Sequence, residues 1–468
     1  MHIENLRFGF ACNSSSTHSV VVVPKGTARP RDTDIGTHFG WQYFVAASTE
    51  AKKAYLKDIL RGNLQQLHRN HGNDTVATRF TDLLFGATDI ESIDHQSFPI
   101  IPLRQGTADL DMAFFDALSA YIMREDVVIL GGNDNSGPSD DGASAEWDRL
   151  NTVGTQGLGY SLIPTDTILH PWISRQEGPW WVLFNRDEGT KVTLSFDDNP
   201  PVRKRAQIPE LVDIKITDFC PYACTYCYQD STVKGGHAQD LSSWLHTLAS
   251  WGVFEVAIGG GEPTLHPDFE SVFNNTDKMR VNFTTRNMDW IAANPELALK
   301  AGAIAVSVDK YRGGFTKLLP RIHQLPEAVR KKIKLQYVMG SGSDFDFGAI
   351  LDGAKEESLP ITLLGYKYTG RGDIAAKKKR VTTPVQDSDE WIGVVQKTNH
   401  WISIDTALAA RVPKDVFPEH LLRRTEGTHS CYIDAVNKKM HKDSYTPGEG
   451  VVVDAHLKWV VEAFDKLE

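Results

Sequence analysis

Three cysteines, Cys220, Cys224 and Cys227, crowd into eight residues of the stretch DFCPYACTYCYQDS. Thiolates that close can face a single centre, and soft sulfur ligands suit zinc or an iron–sulfur cluster. A three-cysteine set leaves one coordination position of a [4Fe–4S] cluster open to a further ligand. The alternative on spacing is a structural Cys3His zinc site, with His237 in GGHA as the fourth ligand. Downstream lies GGGEPTLHPDF, in which Gly259, Gly260 and Gly261 precede Glu262 and Pro263. Glycines let backbone approach a ligand closely, and exposed carbonyls together with the Glu262 carboxylate are suited to hold an ammonium group.

Both motifs follow apolar runs that read as strands. DIKIT leads into the cysteine stretch and FEVAI leads into the glycine run. From there strands alternate with helices, with strands expected at Asp213–Thr217, Phe254–Ile258, Val281–Thr285, Ile304–Val308, Ile333–Val338 and Ile361–Leu364. In AQDLSSWLHTLASWG, residues Leu241, Trp244, Leu245 and Leu248 fall at helical spacing, and Gly252 stands where a C-cap belongs. Six strand and helix units in series imply a parallel sheet, and six is short of the eight that close a barrel. The expected fold class is therefore α/β, a partial (β/α)6 TIM-type barrel with its chemistry at the C-terminal strand ends, where both motifs sit.

Around this barrel the sequence is organised as an N-terminal α/β domain at 1–170, a β-hairpin and linker at 171–207, the barrel at 208–385 and a small C-terminal α/β extension at 386–468. The N-terminal part has strand-like runs at Ser19–Val23 and Val127–Leu130, a helical stretch AASTEAKKAYLKDILRGNLQQL, and a polar loop GGNDNSGPSDDGASAE. WWVLFNRDEGTKVTLSF reads as a hairpin over Trp180–Phe196, and DNPPVRKRAQIP as a linker broken by Pro200 and Pro201.

Composition narrows the class further. The 468 residues carry 60 Asp plus Glu against 50 Lys plus Arg, a formal charge of −10, so polyanions such as nucleic acid are not the default partner. Five cysteines is an odd number, and three of them are clustered, which suits a metal site in a reducing compartment better than a secreted disulfide framework. The N-terminal stretch lacks a basic segment followed by a long apolar one, and no run of 18 apolar residues occurs, so a cytoplasmic protein without membrane attachment is expected.

Taken together, the motifs resemble the radical S-adenosylmethionine (SAM) superfamily. Cys220, Cys224 and Cys227 match its CxxxCxΦC motif with Tyr226 at the aromatic position, and Gly260, Gly261, Glu262 and Pro263 match its GGEP motif. The resemblance covers about 210–370. It implies that the three cysteines ligate a [4Fe–4S] cluster whose fourth iron binds SAM, and that SAM is cleaved to a 5′-deoxyadenosyl radical that abstracts hydrogen from a substrate. It also implies an electron donor such as a flavodoxin or ferredoxin. Thr285 and Asn287 in NFTTRN, and Ser307 and Asp309 in IAVSVDKY, stand where the family contacts SAM or substrate, and LLGYKYTGRG resembles its sixth-strand end. The tail, with WISIDTALAA and CYIDAVNKKMHKDSY, resembles a degenerate SPASM or twitch extension carrying only Cys431. That extension points to a peptide or protein side chain as substrate; a small metabolite or nucleotide is the alternative, and a non-catalytic iron–sulfur protein on the same scaffold is a third reading.

Other features have plainer explanations. Cys12 and Cys431 are expected to be buried and inert. The KKKR run at Lys377–Arg380 reads as a solvated loop with phosphate binding as the alternative, the NSSSTHS run as a turn, and VILGGNDN as a strand and loop lacking a dinucleotide fingerprint.

Overall fold

Alternation of apolar and polar residues along successive strands is what shapes the part of the chain that carries the motifs. The computed structural model describes residues 2–7, 16–23, 32, 44–71, 101–106, 109–133, 160–161, 172–187, 189–197, 199–275, 278–309, 314–341, 344–378, 390–397, 402–414, 416–417, 422–446 and 448–467. They fall into two units, Met1–Pro201 and Val202–Glu468. Cys12, most of the loop after Gly131, and Lys379 with Arg380 lie outside the described residues.

Among the described residues the first unit holds nine strands: β1 (His2–Arg7), β2 (Ser16–Val22), β3 (Phe44–Ala46), β4 (Leu103–Arg104), β5 (Val127–Asn133), β6 (Tyr160–Ser161), β7 (Trp172–Glu177), β8 (Trp180–Asn185) and β9 (Lys191–Ser195). They form two sheets, ordered β1-β9-β8-β7-β4 and β3-β5-β2-β6. The hairpin expected from WWVLF and KVTLS is β8 paired antiparallel with β9. As the middle strand of its sheet β8 is buried on both faces, which explains an unbroken apolar run where a one-sided strand would alternate. Among the described residues the helices Thr49–His71 and Met112–Ile122 accompany the sheets. Asp111 caps the second by accepting from Phe114 N at 3.1 Å, and the same carboxylate accepts from Ser174 Oγ on β7.

The second unit is built on one ten-stranded sheet. Its strands are β10 (Leu211–Thr217), β11 (Glu255–Gly260), β12 (Arg280–Thr285), β13 (Ile304–Ser307), β14 (Ile333–Val338), β15 (Ile361–Leu364), β16 (Ile402–Ile404), β17 (Ser430–Asp434), β18 (Lys439–His441) and β19 (Val451–Val452). The order is β16-β15-β14-β13-β12-β11-β10-β17-β18-β19. The six expected strands are β10 to β15, each parallel to the next. Two more parallel strands flank them, β16 beside β15 and β17 beside β10, so segments of the C-terminal tail extend the barrel sheet at both edges. The turn after CYID returns as β18, antiparallel to β17, and the final helix runs Leu457–Asp465.

In β12 to β15 one set of side chains is buried and the alternate set is half-buried, whereas in β10 Lys215 and Thr217 are buried along with the core set. Val212, Ile214 and Ile216 of β10, and Ile333, Leu335 and Tyr337 of β14, join the core that packs the helices onto the sheet. Asp213, Gln336 and Thr362 belong to the opposite, inner set and keep surface open to the hollow of the barrel. The helix Leu241–Trp251 ends at Gly252 with φ of +95°, the left-handed geometry that a glycine cap permits.

The end of the stretch read as a linker is held by side-chain contacts within the second unit. Arg203 pairs with Glu210 at 2.5 Å with both side chains buried, and Arg205 donates to the carbonyls of Gly427 and Leu467 at 3.1 Å. Prolines exclude regular structure there, but the arginines supply the contacts that strands would otherwise make. Among the described residues no helix is long and apolar enough to cross a membrane.

Candidate functional site

The cysteine loop begins where β10 ends and is held by backbone bonds to its surroundings. Cys220 N donates to Thr232 O at 2.9 Å, Asp218 N to Gly236 O at 2.8 Å, and Cys227 N to Cys224 O at 3.3 Å. Ala223 adopts φ of +50°, an unusual left-handed position for a residue with a Cβ, and it reverses the chain between Cys220 and Cys224. All three thiols are partly exposed. Burial raises the pKa of Cys220 above its usual value, and the nearby Cys224, Glu262 and Cys227 raise it further, while a bond from the Tyr222 backbone opposes them. Three mutually repelling sulfurs at a strand end are an unfavourable arrangement until a cation or cationic cluster joins them.

The glycine run closes over this loop from β11. Gly261 N donates to Thr217 O at 2.7 Å and Glu262 N to Phe219 O at 2.8 Å. No side chain fits there: a Cβ on Gly261 would lie 2.1 Å from Phe219 O, and one on Gly260, whose φ is +121°, would lie 2.3 Å from Thr217 O. Gly259 meets nothing within 4 Å. Two of the three glycines are therefore required for one strand end to seat against the next.

Glu262 is buried and takes four hydrogen bonds. Its Oε1 accepts from Thr285 Oγ1 at 2.6 Å, Thr264 Oγ1 at 2.8 Å and Thr264 N at 3.3 Å, and its Oε2 accepts from Arg286 N at 3.0 Å. The carboxylate expected to receive an ammonium group is occupied in tying the ends of β11 and β12 together, and it caps the short turn Pro263–Leu265. Burial raises its pKa, and these bonds oppose the rise. Thr285 serves Glu262, while Asn287 caps the helix Met288–Ala293 through Trp290 N at 3.2 Å and donates to Thr264 Oγ1 at 3.0 Å. Ser307, half-buried at the end of β13, has no hydrogen-bond partner for its hydroxyl among the described residues.

Tyr226 and Asp309 meet each other. The Tyr226 hydroxyl donates to Asp309 Oδ2 at 2.6 Å, and Arg286 bonds both the Tyr226 oxygen and the Asp309 carboxylate. Burial opposes the Arg286 charge, but Tyr226, Cys224 and Asp309 outweigh it and hold the guanidinium protonated. Arg286 thus joins β12, β13 and the cysteine loop, although the sequence reading named only its two neighbours.

A second clamp comes from the first turn of the helix Gly370–Lys377, which follows β15. Arg371 donates through Nε to Cys224 O at 3.0 Å, through Nη1 to Asp230 Oδ1 at 2.8 Å and through Nη2 to Ser231 O at 2.9 Å. Gly370, at φ of +53°, brings its backbone so near that a Cβ would lie 2.6 Å from Tyr228 O. The signal was present in TGRG: two glycines around an arginine permit close approach and supply a forked donor.

His237 does not join the thiols. Its Nδ1 lies 2.9 Å from Thr217 Oγ1 and its ring sits edge-on to His266 at 5.2 Å. Among the described residues no group of three or more His, Cys, Asp or Glu side chains is placed to hold a single metal ion. Cluster ligands attach to different iron atoms and stand farther apart than ligands of one zinc.

Against this geometry, residues 214–334 match the family model described as the Radical SAM superfamily. The chain carries a radical SAM domain. Curated relatives include a GTP 3',8-cyclase of Shewanella denitrificans, 30% identical over 205 residues that cover 37% of this chain and 61% of the relative. Another, of Listeria welshimeri, is 24% identical over 199 residues covering 38% of this chain and 60% of the relative. The chain thus spans less than two thirds of those relatives. Among solved structures, Streptococcus suis SuiB bound to precursor peptide SuiA has a TM-score of 0.46 at 13% identity, covering 63% of this chain and 88% of SuiB. SuiB bound to S-adenosylmethionine has a TM-score of 0.43 at 15% identity, covering 59% and 83%.

Radical SAM enzymes use a [4Fe–4S] cluster and S-adenosylmethionine, and the residues present fit that pair. Three thiols stand at the strand end in a loop of their own, and the glycine turn beside them leaves backbone rather than side chains. Thr225 Oγ1 and Ser231 Oγ, in the same loop, are buried without a hydrogen-bond partner. Such orphaned atoms mark a place where a further group completes the structure.

Proposed function

We propose that the barrel is the catalytic domain of a radical SAM enzyme in which Cys220, Cys224 and Cys227 hold a [4Fe–4S] cluster and the strand ends around Gly260 and Gly261 receive SAM. The observation that carries this reading is the seating of the glycine turn of β11 on the cysteine loop, through Gly261 N to Thr217 O and Glu262 N to Phe219 O. When bound and reduced, the cluster with SAM supplies a 5′-deoxyadenosyl radical able to take a hydrogen atom from a substrate. The protein's share is placement. Tyr226, Arg286 and Asp309 fix the loop against β12 and β13, Arg371 fixes it against the start of the helix Gly370–Lys377, and Glu262 locks the ends of β11 and β12.

Ser307, with its unengaged hydroxyl, is the sequence-derived residue best placed to contact SAM, whereas Thr285, Asn287 and Asp309 act through Glu262, Thr264 and Arg286. A cytoplasmic enzyme fed electrons by a flavodoxin or ferredoxin fits the partly exposed cluster loop. The substrate is a peptide or protein side chain, supported by the tail strands that border the barrel. A nucleotide is the second reading, favoured by the names of the cyclase relatives.

Anaerobic reconstitution, iron and sulfide assay, and chromatography for 5′-deoxyadenosine after dithionite reduction test the proposal. A brown protein with about four irons that releases 5′-deoxyadenosine is expected, with cluster and cleavage both lost in the Cys220→Ala, Cys224→Ala, Cys227→Ala variant. A colourless zinc protein overturns it, and a loaded cluster with no cleavage of SAM points to the non-catalytic reading.

A further inference from the structure

Two residues of the cysteine loop that carry a Cβ sit in the left-handed region, Ala223 at φ of +50° and Asp230 at φ of +57°. That conformation is costly for alanine, milder for aspartate, and persists only where surrounding contacts hold it. The two positions bracket Cys224 and Cys227, so they decide where both thiols stand. Ala223 and Asp230 are both exposed, so burial of their own side chains does not hold either turn. The holding contacts must come from elsewhere.

Arg371 meets both turns at once. Its Nε donates at 3.0 Å to the carbonyl of Cys224, the residue after Ala223, its Nη1 pairs at 2.8 Å with Asp230 itself, and its Nη2 donates at 2.9 Å to the carbonyl of Ser231, the residue after Asp230. A guanidinium is a planar fork with fixed donor directions, so bonds from one such group set the two turns relative to each other. The carboxylate of Asp230 is largely exposed, which leaves the two carbonyl bonds as the stronger part of the clamp. Neighbours of Arg371 hold the stretch between the turns: Thr369 Oγ1 donates to Tyr228 O at 3.1 Å and Gly372 N to Cys227 O at 3.3 Å. The platform itself is firm, since the Tyr366 hydroxyl donates to Gly372 O at 2.8 Å and Ala375 packs with Tyr226 and Tyr366, against which Cys224 also lies.

We propose that Arg371 is a positioning residue for the cluster, holding the loop that carries Cys224 and Cys227 in its cluster-binding shape before any iron is present. This rests on the reading of the three cysteines as cluster ligands and adds what prepares them. Without the fork, Ala223 and Asp230 relax out of the left-handed region, and the loop must then be ordered at the moment of metal binding, which weakens retention of the cluster. The charge has a consequence of its own. A cation bonded to the carbonyl of a ligating residue favours the more negative, reduced state, so its removal lowers the reduction potential.

The test begins with the full-length protein free of iron, so that it reads the loop apart from cluster loading. Alkylation by iodoacetamide, followed by peptide mass analysis, gives a rate for each cysteine, and Cys431, only 1% exposed, reports unfolding of the unit. In Arg371→Met, Cys224 and Cys227 are expected to react about tenfold faster than in wild type while Cys431 stays protected. Ala223→Gly on that background should recover part of the protection, because glycine adopts the left-handed region without a steric penalty. Arg371→Lys keeps the charge without the fork, so its rates should fall between the other two, and it decides the matter if Arg371→Met unfolds and exposes Cys431. After reconstitution, Arg371→Met should lose iron to a chelator faster than wild type, and its one-electron reduction should be about tenfold less favourable, about 59 mV lower in potential. Arg371→Lys should keep most of the potential yet still lose iron faster than wild type. Equal alkylation rates in wild type and both variants, rates for Cys431 that rise with those of Cys224 in both variants, or an unchanged potential and iron retention in Arg371→Met overturns the proposal. A wild-type protein that loads zinc and stays colourless overturns the cluster reading instead, and the rates in the iron-free protein still decide whether Arg371 shapes the loop.

Discussion

At the scale of single residues, Arg286 shows how a site can be overlooked while its neighbours are named. In NFTTRN an arginine between polar residues reads as a solvated strand end, and no local spacing links it to Tyr226 or Asp309. The link exists because β12 and β13 are adjacent in the sheet and the cysteine loop lies over both strand ends. Asp309 is buried, so removing its cation leaves a charge stranded. Arg286→Met is expected to cost ~3–5 kcal/mol in urea unfolding, as for breaking a buried pair by one partner, and Asp309→Asn on that background should recover part of it. Full stability in Arg286→Met would mean that the pair is not closed in solution. A smaller effect, ~1–2 kcal/mol, is expected for Thr285→Val, which removes one of four bonds to Glu262.

At the scale of elements, the six central strands were legible because a period-two pattern and regular spacing survive any detail of packing. The three-residue β16 and the five-residue β17 were read as parts of a separate tail, since strands that short acquire meaning only from the neighbour they pair with. The cysteine and glycine motifs were legible as chemistry, but not the reason for each glycine. That reason can be tested position by position. Gly261→Ala forces a Cβ against Phe219 O and should destabilise the unit by ~1–3 kcal/mol and lower the iron retained after reconstitution. Gly259→Ala meets open space and should change stability by no more than ~0.5 kcal/mol while retaining full iron. If both variants keep iron equally, the close seating of β11 on the cysteine loop is not what shapes the site.

At the scale of the whole molecule, the net charge of −10 gave no hint that part of the acidity is turned inward. Burial raises the pKa of Asp213 from its ordinary 3.8 to about 6, with Lys367 lowering it and Glu255 and Asp405 raising it. Burial likewise raises Glu426 from 4.5 to about 7, helped by Asp213, Asp443 and Asp405 and opposed by Lys367. Between the ordinary and the raised values the folded protein holds protons that the unfolded chain has lost. These two groups therefore make stability fall as pH rises from about 4 to about 7, and the contribution levels off above that range. Other carboxylates add slopes of their own, so the informative quantity is a difference between proteins. The Asp213→Asn, Glu426→Gln double variant removes both titrations, and its melting temperature relative to wild type should be higher at pH 8 than at pH 5. Melting temperatures that differ by the same amount at pH 5 and pH 8 would show that neither carboxyl group titrates above its ordinary value in the folded protein.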